Sequence, residues 1–286
     1  MLSNRTWPTS HNVVAELDPN VLPAVFIDMA NFLSATSIKY ALTENPTIYM
    51  SHVKQFWATA TLKTYKGEKY IKATVDEQKV LVSEDNIRTV LMLDDEGGSK
   101  GLTKEELFAG LEALGYVRKG NGTKFQKGSF SPKWKFLAHT LLHCFSPKTT
   151  GWNEVNSSIA SAMICLSNGD PFNFSKMIFD GFVSNINGKS FTYPRFVQML
   201  INDDIKHTRT HKSVFECKKM GSVTFTFLAK ENLDFTGQDV PLTPYMLELI
   251  ENAQDEESGT HTDSQHTSSS DSEHVSEVAF LGPLYY

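Results

Sequence analysis

The stretch Ser131-Pro-Lys-Trp-Lys-Phe-Leu-Ala-His-Thr-Leu-Leu-His-Cys-Phe-Ser-Pro147 decides the fold class. Ser131 is a residue type that caps helix N-termini, and Pro132 suits a first turn, where a backbone N–H would have no intrahelical acceptor. Trp134, Leu137, Ala138, Leu141, Leu142 and Phe145 then recur at intervals of three and four, one apolar stripe along a helix. Downstream the same period returns in Trp152, Val155, Ile159, Ala162, Met163 and Leu166. Ala160, Ile164 and Cys165 widen that face, so this second helix reads as central, and Asn168-Gly169 stops it. Further helical segments are read at 174–183, at 193–201 and, shorter, at 244–250. Upstream, Thr103 and Glu106 stand at capping-box spacing before Leu107, Phe108, Leu111 and Leu114, with Gly115 as the C-terminal cap. Ser83 caps a helix through Leu91. Earlier helices are read from Pro23, on Val25, Phe26, Met29 and Leu33, and around Val53, Phe56 and Trp57.

One region departs from this period. Tyr70-Ile-Lys-Ala-Thr-Val75 and Lys79-Val-Leu-Val82 flank a polar Asp76-Glu-Gln78, which predicts a β-hairpin near 69–82. Val223-Thr-Phe-Thr-Phe227 also alternates like a strand. The expected fold class is therefore mainly α, a helical domain with one small β-hairpin, ending in a disordered acidic tail. The expected organisation is a flexible N-terminal arm over 1–20, a helical domain over 21–250 and the tail over 251–286.

Charge supports that division. The chain of 286 residues has 33 acids and 27 Lys and Arg, a formal charge of −6. Eight of the acids, and no Lys or Arg, lie between 251 and 277. The remainder holds 25 acids against 27 bases, so the body carries about +2 and the acidity belongs to the tail. Composition in the tail is too poor in apolar groups to offset ordering entropy. Three widely spaced cysteines, Cys144, Cys165 and Cys217, predict no disulfide framework and favour a reducing, intracellular setting, cytoplasm or nucleus. No apolar run approaches the length of a membrane span, so no membrane partner is expected.

Two groups of residues invite a chemical reading. His139 and His143 stand four apart, a spacing at which two imidazoles can share a metal. The metalloprotease pattern needs a Glu directly after the first His, and Thr140 occupies that place. The histidines fall opposite the apolar stripe and are expected to face outward or into an interface. No metal and no other cofactor is expected; a metal-dependent enzyme built on this pair is the lesser alternative. The second group is a run from 115 to 153 with seven bases and no acid, interleaved with Tyr116, Phe125, Phe130 and Trp134. Bases that are not cancelled by acids can neutralise phosphates, and exposed rings can stack on nucleobases. Arg118, Lys119, Lys124, Lys127, Lys133 and Lys135 are the candidate nucleic-acid-binding residues. The competing reading is a solvated face whose rings point inward. A second basic run holds Lys206, Arg209, Lys212, Lys218 and Lys219. No Walker loop, dinucleotide fingerprint, nucleophile elbow or zinc-knuckle cysteine pair occurs in the chain.

Several blocks stand in fixed order: Tyr40-Ala-Leu-Thr43, Asn45-Pro-Thr-Ile-Tyr49, Gln55-Phe-Trp-Ala-Thr59, Phe130-Ser-Pro-Lys-Trp-Lys-Phe-Leu137, His139-Thr-Leu-Leu-His-Cys144, Ile159-Ala-Ser-Ala-Met-Ile-Cys-Leu166, Ile178-Phe-Asp-Gly181 and Tyr193-Pro-Arg-Phe-Val-Gln198. In these blocks, roughly over 20–200, the chain resembles proteins encoded by plant long-terminal-repeat retrotransposons, mostly copia-type, and more distantly a plant transposon protein domain. The resemblance implies a Gag-like or accessory role and carries no catalytic residues with it. The function expected from the sequence is a non-enzymatic module that binds RNA or other single-stranded nucleic acid or self-associates. A protein-interaction module without nucleic-acid binding is the alternative.

Overall fold

The computed structural model describes residues 15, 17–118, 125–146, 154–188, 191–204 and 239–259. They form ten α-helices, one three-residue 3-10 turn and five strands: α1 (Ala24–Ala35), α2 (Lys39–Thr43), α3 (Met50–Thr59), β1 (Thr61–Tyr65), β2 (Glu68–Val75), β3 (Gln78–Val82), α4 (Glu84–Val90), α5 (Lys104–Ala113), β4 (Phe125–Gln126), α6 (Pro132–Phe145), β5 (Glu154–Val155), α7 (Ser157–Asn168), α8 (Phe174–Asn185), α9 (Pro194–Asp204) and α10 (Pro244–Gly259). The chain is mainly helical with a small antiparallel sheet, as the periodicity predicts.

The helix boundaries follow local chemistry. Ser83 and Asn86 form a reciprocal capping box at α4, and Thr103 and Glu106 form one at α5. Gly115, at φ +78°, accommodates the left-handed exit of α5, where Tyr116 N–H donates back to the Leu111 carbonyl. Gly169 does the same for α7. Ser131 precedes α6 as expected, but its hydroxyl makes no capping bond. Proline at the first position fixes that start instead.

Helix α6 is the centre of the fold. It packs on α1, α7 and α8, and it is buried on nearly every side rather than along one stripe. Trp134, Phe136, Leu137, Ala138, Leu141 and Phe145 are all fully enclosed. Side chains of this size contribute about 1.5–3 kcal/mol each when fully buried. α7, read as central, shares the role and carries α5 and α10 on its outer side. α10 lies across α1 and α7, and its Met246 is fully buried.

Three expectations change here. The arm is not loose to its end, because Ala15 and Leu17 are buried and Ala15 N–H donates to the Leu42 carbonyl at 3.4 Å. The last helix does not stop at 250 but runs through the acidic residues to Gly259. The hairpin is two strands of a three-stranded sheet, order β1-β2-β3, that packs against α3 and α9. The expected strand at 223–227, the second basic run and the tail beyond 259 lie outside the described residues.

Candidate nucleic-acid interface

Among the described residues, the basic run of 115–153 does not form one exposed surface. Arg118 is exposed, its guanidinium 4.2 Å from the centroid of the Phe108 ring. Lys133 is half-buried and sits 3.4 Å from Asp239 Oδ2, so an acid from a distant part of the chain meets it. Lys135 is half-buried. Lys127 is only 4% exposed, with Nζ 2.9 Å from His139 Nδ1. Lys119 and Lys124 lie outside the described residues. The four interleaved rings, Tyr116, Phe125, Phe130 and Trp134, are all buried. This corrects the expectation of a continuous basic and aromatic surface. In the described part of the run the four rings serve the core, and spacing along the chain does not carry over into spacing on the surface.

The histidine expectation is corrected as well. His139 is buried and His143 half-buried, because α6 is wrapped on the face that was to be outward. Their ring centroids are 4.1 Å apart. Burial, with the nearby Lys127 ammonium, lowers the His143 pKa to about 3, so this imidazole is neutral at neutral pH. An ammonium beside two imidazoles repels a cation. Among the described residues, no three His, Cys, Asp or Glu side chains converge as metal ligands would.

Two polar clusters that the sequence did not signal are structural ties. Arg195 on α9 is buried and donates to the Ala41 and Glu44 carbonyls, with Cys144 Sγ 3.2 Å away. It clamps α9 to the end of α2 and to α6. Burial pushes the Cys144 thiol up to about 11 despite the guanidinium, so it is no ready nucleophile. Asp95, buried, accepts from the N–H and hydroxyl of Ser175 and from Arg88, joining α4 to the start of α8. A cavity of about 270 Å³ lies beside the starts of α7 and α8. Part of its polar lining is committed: Asn156 and Asn173 cap the two helices, and Lys176 holds Asp180 at 2.6 Å.

The sheet offers what the predicted run does not. Neighbours across the strands are Thr61 with Lys72, Lys63 with Tyr70, Tyr65 with Glu68, Lys72 with Leu81, and Thr74 with Lys79. Side chains alternate between faces, and directly paired residues share one. Ile71, Ala73, Val75, Val80 and Val82 are buried against the helices. The opposite face therefore presents Lys63, Tyr65, Tyr70, Lys72, Lys79 and Leu81, with Thr61, Thr74 and Glu68. Every residue of β1 is exposed, Tyr65 to 65%, so the β1–β2 end projects from the body. Lys66 in the turn lies 5.4 Å from the Tyr65 ring centroid.

Charge on this face is uneven in a useful way. At the β2–β3 end Asp76 takes bonds from Gln55 and His52, while Glu77 beside it is exposed. Asp204 at the tip of α9 accepts from Leu81 N–H and closes the β3 edge. Toward β1, Glu68 is the one acid among Lys63, Lys66, Lys69 and Lys72. Among the described residues, none of these lysines holds a carboxylate partner; the ion pairs there are made by other side chains.

No known family, characterised protein or solved structure matches the chain. The sheet face is thus argued from its own chemistry. It was legible in part: Thr61-Leu-Lys-Thr-Tyr65 alternates and is followed by Lys66-Gly67, a two-residue turn signal.

Proposed function

We propose that this chain is a non-enzymatic module that binds nucleic acid through the outer face of the β1–β2–β3 sheet. The observation that carries the reading is the set of lysines on that face, Lys63, Lys72 and Lys79, with Lys66 in the adjoining turn, none of which holds a carboxylate partner among the described residues, beside two tyrosines. Ammonium groups held on a rigid sheet neutralise phosphates at fixed spacing, and the released counterions drive association. The resemblance to plant retrotransposon proteins supplies a setting, a Gag-like or accessory role, in which such binding is useful. The two described cysteines do not argue for catalysis, since burial raises Cys165 as well as Cys144 to about 11. Self-association through the open β1 edge is the weaker reading. A symmetric antiparallel pairing of two β1 strands centres on Lys63 and sets like charges opposite each other.

Fluorescence anisotropy with a labelled RNA oligomer tests this across a salt series. With three or four phosphate contacts, log affinity should fall by roughly two to three units per decade of salt. Absence of binding at low salt, or binding indifferent to salt, contradicts the proposal and leaves the protein-interaction module in its place.

A further inference from the structure

Resting on that reading, we infer that the ligand of the sheet face is an unpaired strand, with one base stacked on Tyr65 and the next on Tyr70. The register places Tyr70 opposite Lys63, while Tyr65 lies two residues along β1 from Lys63 on the same face. The two rings are therefore diagonal neighbours, roughly 7–8 Å apart at their origins. Tyr65 is 65% exposed, far more than a ring needed by the core, and Tyr70 is half-buried, which holds its ring steady at the sheet surface. Lys66 lies over Tyr65 at 5.4 Å and leaves the other side of the ring to a base. Lys63 stands beside both rings and Lys72 beyond Tyr70, where a strand stacked on the pair runs its phosphates.

A duplex fits this surface poorly. Its bases are already stacked on one another, so the tyrosines gain nothing from it, and a phosphate row could use the lysines alone. Base stacking on aromatic rings is tolerant of sequence because every base has a π-face. Sheet-borne aromatics that bind RNA elsewhere stack two or three bases in this manner. The face spans five residues of β1, about 16 Å, and three strands, about 10 Å, which suits a short unpaired segment rather than a long groove.

The experiment compares a twelve-nucleotide oligo-uridine, an oligo-thymidine of equal length and a twelve-base-pair duplex on three proteins. These are the wild type, Tyr65→Leu/Tyr70→Leu and Tyr65→Phe/Tyr70→Phe. Melting curves confirm that each is folded. The expected result is that both single strands bind the wild type at least tenfold more tightly than the duplex. The leucine pair loses at least tenfold on the single strands only, and the phenylalanine pair stays within about threefold of wild type. Equal binding of duplex and single strands, untouched by the leucine pair, overturns the stacking inference while leaving the lysine face intact. No binding of any of the three nucleic acids at low salt overturns both.

Discussion

His143 shows how burial on α6 turns one side chain into a pH-dependent contribution to stability. Its imidazole titrates near 3 in the folded chain against 6.5 when free, because burial and the Lys127 charge disfavour the cation. The unfolded chain therefore takes up a proton as pH drops below 6.5, while the folded chain takes none until about 3. The stabilisation is complete above 6.5 and is lost progressively as pH falls through that window, with a slope of up to about 1.4 kcal/mol per pH unit. His143→Gln should flatten this part of the stability profile. Urea unfolding of both proteins at pH 7.5 and pH 5 checks it: the loss between the two pH values should be smaller in the variant. An identical loss would mean that His143 is solvated in the folded state. The sequence did not show this burial, because the helical period gives the angle of a residue on α6 but not what packs against that angle.

The two hairpin turns of the sheet illustrate how one element is encoded with different fidelity. Asp76 and Glu77 both take positive φ, +47° and +65°, as a two-residue turn between twisted strands requires. Asp76 is fixed there by its bonds to His52 and Gln55. Glu77 has no comparable reason to be other than glycine and bears the steric cost of a left-handed conformation. Glu77→Gly should stabilise the protein by about 0.5–1 kcal/mol, raising Tm by roughly 1–4 °C. Asp76→Gly should lower Tm instead. A lowered Tm for Glu77→Gly would show that the Glu side chain holds the turn. At this scale most elements were legible: the cap at Ser83, the capping box at Thr103, the glycine exits at 115 and 169, and the β2–β3 hairpin all follow from short-range chemistry. β1 escaped because Thr61, Lys63 and Tyr65 are all solvent-facing, so no buried row marks it as a strand. α10 outran its expected end because acids that lower hydropathy do not by themselves end a helix.

For the whole molecule the lesson concerns charge. A stretch of 39 residues without an acid looked like a basic surface, yet among the described residues its bases are divided between the core at Lys127, an ion pair at Lys133, the half-buried Lys135 and the exposed Arg118. The tertiary fold instead gathers Lys63, Lys72 and Lys79 from three strands onto one sheet face, with Lys66 in the turn beside it, a grouping that only the strand register reveals. Two sets of charge reversals on the same protein test this relocation most directly. Lys63→Glu/Lys72→Glu/Lys79→Glu alters the sheet face, and Arg118→Glu/Lys133→Glu/Lys135→Glu alters the run that the sequence favoured. The account predicts that affinity for a single-stranded RNA oligomer at low salt is abolished by the first triple variant and changes less than about threefold with the second, both remaining folded. Loss of binding in the second variant with retention in the first would contradict it.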